Sequence, residues 1–259
     1  MQARSVQFPN TVIDNFFQDP DAVTSFGKAL DFTQTGSYPG LRTKNLKDTH
    51  PMISKEIVRK IFNVYFSDVS TISCESVKIY FQNIPKFSED PKSLRNKGWI
   101  HTDMERTTNS SANNNKLAGV IYLTPNARLE SGTDICRFKK GIDVDLSKHW
   151  EESESITPSE QDVSKKTNNP KDLEKGAAYK KEWNNWFDHV TVVGNIYNRI
   201  ILFDGNEFHC GNNFYHEDEG ERLVIVFFLQ NVKGGILPKR RISKDNLTEI
   251  INAPTETTV

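Results

Sequence analysis

The segment ILFDGNEFHCGNNFYHEDEGERLVIVFF, residues 201–228, contains two strongly apolar runs separated by a polar stretch. Both runs are rich in β-branched and aromatic residues, which is typical of buried strands. Asp204-Gly205 indicates a turn after the first run, and His209 lies just beyond that turn. Arg222 opens the second run, where a charged side chain is rare unless it has a partner. The segment therefore predicts two strands of a sheet with an imidazole and a guanidinium near their ends.

Both polar groups also have an ordinary interpretation. His209 precedes a polar loop and is compatible with a surface or capping residue, and Arg222 is compatible with a surface residue at a strand end. Alternatively, Arg222 pairs with a buried carboxylate, for which its planar guanidinium is better shaped than the ammonium group of lysine. The choice depends on which other side chains reach the same place.

Strand patterns recur upstream of this segment. SCESVKIYFQNI (73–84) alternates between apolar and polar residues, as in a half-buried strand. LAGVIYLTP (117–125), SGTDICRF (131–138) and HVTVVG (189–194) are further short strands bounded by turn residues. Many short strands separated by turns indicate an antiparallel arrangement.

Helical spacing is found near the N-terminus, in a helix that Asp19 caps and in a second helix over residues 51–68. Residues 1–70 are therefore predicted to be a mostly helical flank. Residues 143–182 are strongly charged and poor in β-branched residues, and we expect a surface insertion there. We predict a single domain over residues 1–259, mainly β with flanking helices, whose strands form a double-stranded β-helix, or jelly roll.

Composition limits the possible partners. A formal net charge of −1 over 259 residues argues against binding to nucleic acid or to a membrane surface through bulk charge. No apolar run approaches the roughly 18 residues of a membrane span, and the opening stretch MQARSVQFPNTVIDNFF lacks the apolar segment of a secretory signal. Cys74, Cys136 and Cys210 are odd in number and form no CxxC, so a disulfide framework is not expected. These features predict a cytoplasmic protein in a reducing environment.

His101-Thr102-Asp103 is a candidate for part of a metal site. On a strand, residues i and i+2 point the same way, so His101 and Asp103 can present an imidazole and a carboxylate to one ion. With His209 they form a set of two histidines and one carboxylate, which leaves three positions open and is typical of non-haem Fe(II) oxygenases. The side chain of Cys210 points away from that of His209, so we assign it no role there, and we interpret the remaining four histidines as solvent-facing or structural.

The order of these residues resembles that of the Fe(II)/2-oxoglutarate dioxygenase superfamily, and the prolyl-hydroxylase-like branch is the most similar in pattern. The strand GVIYLTP places Tyr122 where that branch has a tyrosine that helps to hold the far carboxylate of 2-oxoglutarate. Ser131-Gly132-Thr133 fills the position of its Gly-Gly-Thr-like element. The N-terminal phrases VIDNFFQDPDAV and YPGLRT further resemble an uncharacterised branch common in bacteriophage and marine bacterial genomes.

The resemblance implies roles for the candidate residues. His101, Asp103 and His209 would bind Fe(II), and 2-oxoglutarate would chelate the metal while its far carboxylate pairs with Arg222 and Tyr122. Tyr80 precedes the His-x-Asp pair by one strand and either faces the co-substrate as well or only packs.

The implied reaction consumes dioxygen and 2-oxoglutarate, supported by ascorbate, and hydroxylates a small molecule or a peptide side chain with succinate and carbon dioxide as co-products. A phage-encoded protein would act in the host cytoplasm.

Two other functions remain open at this point. A non-catalytic jelly-roll binding module would keep the fold, with or without the metal, and a metal-dependent hydrolase would use histidine and aspartate ligands. The second lacks HExxH or a dense histidine cluster. The sequence does not identify the substrate; the loop 107–115 and the charged insertion lie where lids and specificity elements are common.

Overall fold

The computed structural model describes residues 8–36, 38–66, 68–103, 116–142, 170–217 and 221–234. Two antiparallel sheets make up most of this part of the chain. The loop 107–115 and residues 143–169 of the predicted insertion lie outside the described residues, as does His149.

The N-terminal part alternates short strands and helices: β1 is Thr11–Ile13, α1 is Pro20–Lys28, β2 is Leu41–Arg42, α2 is Leu46–Thr49 and α3 is Pro51–Tyr65. The predicted cap of α1 is present, since the Asp19 carboxylate accepts a hydrogen bond from the Ala22 N–H at 2.9 Å. Pro20 occupies the first helical position, where an N–H would have no partner within the helix. The helix α3 is shorter than predicted because Phe66 adopts an extended backbone.

Seven further strands and one helix follow: β3 is Ser76–Ile84, β4 is Lys116–Tyr122, β5 is Thr133–Phe138, α4 is Pro170–Asn184, β6 is Phe187–Val193, β7 is Ile200–Asp204, β8 is Phe208–Gly211 and β9 is Arg222–Gln230. The larger sheet has six strands in the order β1-β7-β4-β9-β3-β2, and the smaller sheet has three in the order β6-β5-β8. The two apolar runs of residues 201–228 thus form β7 and β9, which are separated by β4 rather than adjacent. Between them along the chain, β8 joins the smaller sheet.

The segment that carries the His-x-Asp pair lies along the free edge of β8. It forms no regular strand, but a bridge joins His101 to His209, and the Gly98 N–H donates to the Gly211 carbonyl at 2.9 Å. A Cβ atom on Gly98 would collide with that carbonyl oxygen, so the absence of a side chain permits this close approach. The proximal pair and the distal histidine are therefore held side by side by backbone contacts.

The buried apolar residues form three clusters, which pack the helices and the two sheets together. On β3, Ile79 and Phe81 face the N-terminal helices, as the alternation in the sequence predicts. Tyr80, from the opposite face of β3, packs against a second cluster that contains residues of both sheets, such as Val224 and Ile135. A third cluster, centred on Trp183 of α4, covers the outer face of the smaller sheet.

The prediction of a mainly β fold with flanking helices is confirmed. None of the helices in the described parts of the chain has the length and apolar character that crossing a bilayer requires.

Candidate functional site

The structure brings His101, Asp103 and His209 together at one end of the space between the sheets. One potential ligand atom from each residue lies within 4.8 Å of those of the other two. The Asp103 carboxylate lies between the imidazoles, with Oδ1 at 3.9 Å from Nε2 of His101 and Oδ2 at 3.5 Å from Nε2 of His209. The Asp103 backbone is held by its N–H, which donates to the Gly205 carbonyl in the turn before β8.

Backbone carbonyls fix the orientation of both imidazoles. Nδ1 of His101 lies 2.7 Å from the Trp99 carbonyl oxygen, and Nδ1 of His209 lies 2.9 Å from that of Glu207. A carbonyl only accepts hydrogen bonds, so each Nδ1 carries a proton, and Nε2 is the nitrogen that each ring can offer to a metal. This arrangement is usual for metal-ligating histidines, whose second nitrogen is held by a carbonyl or carboxylate.

The Asp103 carboxylate keeps an oxygen available for a metal, although Lys116 donates to the Asp103 backbone carbonyl and the charge of Arg42 is near. Oδ2 of Asp103 is buried and has no hydrogen-bond partner. Burial lowers the pKa of His209 to about 4, although the neighbouring Asp103 carboxylate acts in the opposite direction. His209 is therefore neutral near pH 7 and does not neutralise Asp103. Side-chain exposure is 48% for His101, 11% for Asp103 and 8% for His209, so solvent reaches the group from the His101 side.

Arg222 lines the same cavity and is buried, so we call the part of the cavity around it the closed end and the part around the exposed His101 the open end. Its Nη1 donates to the carbonyl oxygens of Ser131 and Asn213, the second at 3.0 Å, and its guanidinium lies 5.5 Å from the centre of the Phe214 ring. Its Nε is buried without a partner, and no carboxylate among the described residues is near enough to affect its pKa. Burial lowers that pKa to about 10, so Arg222 remains a cation near pH 7.

Tyr122 and Thr133 adjoin Arg222. The Tyr122 hydroxyl lies 2.8 Å from Oγ1 of Thr133, and both residues line the cavity. Burial is the main cause that raises the pKa of Tyr122 to about 12, so its hydroxyl is a neutral hydrogen-bonding group. Val224 and Phe203 supply apolar wall between this end and the histidines. The cavity therefore joins a set of metal-ligand types to a buried cation that no carboxylate of the described residues neutralises.

Five of the six site residues predicted from the sequence line this cavity, and the sixth lies beside it. Tyr80 lines an adjoining depression, where its ring centre is 5.4 Å from the guanidinium of Arg42.

Arg42 was not predicted to be a site residue, although it belongs to the phrase YPGLRT. Its guanidinium stacks on Tyr38 at 3.7 Å, its Nε donates to Gln82 at 2.7 Å, and it lines both spaces.

Comparison with known proteins identifies the family. The model of a family of unknown function, DUF6445, matches residues 2–218. The chain belongs to the DUF6445 family. No curated protein matches its sequence.

Solved structures show which fold this DUF6445 member shares. HygX from Streptomyces hygroscopicus with nickel and 2-oxoglutarate bound is 12% identical, with a TM-score of 0.51 over 87% of this chain and 84% of HygX. HygX with iron bound is 12% identical, with a TM-score of 0.48 over 93% and 90% of the two chains. EvdO2 from Micromonospora carbonacea var. aurantiaca is 8% identical, with a TM-score of 0.47 over 89% of each chain. At this identity, the first HygX structure indicates a common fold.

Proposed function

We propose that this protein is an Fe(II)- and 2-oxoglutarate-dependent oxygenase built on a double-stranded β-helix. The proposal is supported by one cavity that holds both a set of two histidines and one carboxylate and a buried guanidinium without an anionic partner in the described parts of the chain. A metal site alone fits many functions. The second cation, at the closed end, calls for a ligand that carries a carboxylate.

Fe(II) suits the donors at the open end. His101 and His209 would each bind it through Nε2, and Asp103 would bind through the carboxylate whose Oδ2 is buried without a hydrogen bond. Two neutral imidazoles and one carboxylate leave coordination positions free for a co-substrate. When bound, Fe(II) supplies the redox chemistry by which dioxygen and 2-oxoglutarate give succinate, carbon dioxide and a hydroxylated substrate.

2-Oxoglutarate suits a cavity that is lined by both groups. Its keto-acid group would lie at the metal, and its far carboxylate would pair with Arg222 and accept a hydrogen bond from Tyr122 or Thr133. Val224 and Phe203 would exclude water from the chain between them. HygX, whose fold is similar, is a protein with nickel and 2-oxoglutarate bound, which supports this choice.

The substrate would approach from the side on which His101 is exposed. Arg42 and Tyr80 line the adjoining depression together with Asp103, so we assign Tyr80 to the substrate side rather than to the far carboxylate. A small molecule or a peptide side chain remains the proposed class of substrate.

A spectroscopic titration tests the proposal without knowledge of the substrate. Under anaerobic conditions, the protein with Fe(II) should develop a weak metal-to-ligand charge-transfer band in its visible absorption spectrum when 2-oxoglutarate is added. Arg222→Met should need much more 2-oxoglutarate for the same band, whereas Arg59→Met, at an exposed arginine of α3 paired with Glu56, should behave as wild type. A hydrolase, or a binding module that does not hold 2-oxoglutarate at a metal, would give no band, and absence of the band would exclude the proposal.

Turnover is the second measurement. Succinate formation with Fe(II) and ascorbate should increase when the correct member of a pool of candidate substrates is present. A band without any succinate, with or without substrate, would indicate a non-catalytic binding module.

A further inference from the structure

A second group of metal-ligand types lies on the outer face of the smaller sheet. Cys136, His189 and Cys210 each offer an atom within 4.8 Å of the other two. They come from β5, β6 and β8 respectively, so each strand of the sheet contributes one residue. Cys210 directly follows His209, and the two side chains point to opposite faces of β8.

The pairing of the strands brings these residues together. Asp134 lies opposite Cys210 in the β5–β8 ladder, and Cys136, two residues further along β5, shares its face. A bulge in the β5–β6 ladder then changes the register, because Ile135 pairs with Thr191 while Cys136 pairs with His189. Regular pairing would place Val190 opposite Cys136. The bulge re-aims β6 so that an imidazole faces the thiol, which is a common use of bulges near functional sites.

The distance from His189 to Cys136 fits a tetrahedral site, whereas the distance from His189 to Asp134 is that of a hydrogen bond, which metal binding would break. Nδ1 of His189 lies 3.8 Å from Sγ of Cys136 and 2.7 Å from Oδ2 of Asp134. With bond lengths typical of zinc to sulfur and to nitrogen, two ligands of one tetrahedral ion are about 3.5 Å apart. Cys136, Cys210 and Asp134 are buried, whereas the side chain of His189 is 43% exposed. An ion can therefore enter from the His189 side with small side-chain movements.

We propose that Cys136, Cys210, His189 and Asp134 form a second metal site, specific for a tetrahedral ion such as Zn²⁺. Two thiolates, an imidazole and a carboxylate suit zinc, whereas the set without sulfur around Asp103 suits Fe(II). Binding would release the two thiol protons and move the imidazole proton to Nε2, leaving Nδ1 free to ligate. No electron is transferred.

The site would stabilise the smaller sheet. A single ion would link β5, β6 and β8, and β8 has only four residues, Phe208–Gly211. Because His209 lies on that short strand, the second ion would also fix the position of His209 in the cavity. This inference does not depend on the proposed oxygenase function.

Cobalt spectroscopy separates the two sites. Reduced, metal-free protein titrated with Co²⁺ should develop a near-ultraviolet thiolate-to-metal charge-transfer band, which should saturate at one equivalent in Asp103→Ala, where the other site is disabled. The group around Asp103 has only nitrogen and oxygen ligands, so it cannot give this band, and Asp103→Ala should retain it. Cys136→Ser and Cys210→Ser should lose it, while Cys74→Ser, at the half-buried cysteine outside the group, should keep it.

Zinc content provides an independent measurement. Protein produced with zinc should retain one equivalent after dialysis, and His189→Ala should bind it more than roughly tenfold more weakly. His189 is partly exposed, so its removal should leave the fold intact, as circular dichroism would verify.

Absence of the charge-transfer band in reduced wild-type protein would overturn the proposal. So would a band that survives in both cysteine variants. If titration of the denatured, unreduced protein finds Cys74 as the sole reactive thiol, Cys136 and Cys210 form a disulfide, and the metal site is excluded.

Discussion

The two ends of the central cavity are built in different ways. At the open end, His101, Asp103 and His209 are held by backbone contacts between neighbouring segments, and His101 is about half exposed. At the closed end, Arg222 and Tyr122 are buried, and they are held by backbone carbonyls and by a side-chain hydroxyl.

This difference separates two tasks. The open end offers metal-ligand atoms and a path for the substrate, and a reaction at the metal needs both. The closed end offers a cation in an environment of low dielectric constant, where a charged partner is attracted strongly and screened little. Metal affinity should therefore depend on one end and co-substrate affinity on the other.

Removal of a ligand at the open end should have the largest effect. Asp103→Ala or His209→Ala should lower the affinity for Fe(II) by roughly 100-fold or more, because each variant keeps only two of the three protein ligands. Turnover of 2-oxoglutarate should be abolished in both. Isothermal titration with Fe(II) under anaerobic conditions and succinate formation are the measurements. Asp31→Ala, at an exposed carboxylate, is the matched control. Full activity in either ligand variant would contradict the assignment.

Removal of the cation at the closed end should leave the metal in place. Arg222→Met should raise the KM for 2-oxoglutarate roughly 100-fold, since a buried ion pair broken on one side costs about 3 kcal/mol or more. Arg222→Lys should recover part of the loss, because an ammonium group keeps the charge but not the bidentate geometry. Fe(II) affinity in both variants should match wild type. An equal fall in metal and co-substrate affinity would show that the two ends are not independent.

Sequence patterns predicted those parts of the molecule that local rules control. The alternation in SCESVKIYFQNI gives β3 its two faces, and Asp19 caps α1 as expected. The i, i+2 spacing also placed His101 and Asp103 on one side of an extended segment. These features depend on neighbours in sequence, so a single chain reveals them.

Other features depend on contacts between distant residues. Arg42 reaches the cavity from a two-residue strand near the N-terminus, and its partner Gln82 lies forty residues away. His189 was predicted to be solvent-facing or structural from its polar surroundings in the sequence, and the bulge that turns it towards Cys136 has no signature there. Arg222 was expected to need a carboxylate, but only the structure could reveal that no described residue supplies one.

The smallest expected effect concerns the hydroxyl of Tyr122, which distinguishes a charge-dominated closed end from a hydrogen-bonded one. Tyr122→Phe removes the bond to Thr133 while the ring continues to fill the buried space. A neutral hydrogen bond contributes about 1 kcal/mol, so we expect the KM for 2-oxoglutarate to rise roughly fivefold. The visible band at saturating 2-oxoglutarate should be unchanged.

A double-mutant cycle with Thr133→Val would identify the source of that effect. If Tyr122 and Thr133 act as a pair on the far carboxylate, the double variant should lose little more affinity than either single variant, because each change already breaks the pair. Strictly additive losses would mean that each hydroxyl contacts the co-substrate independently. No loss in Tyr122→Phe would mean that Arg222 alone holds the carboxylate and that the tyrosine only packs, in which case the closed end depends on charge.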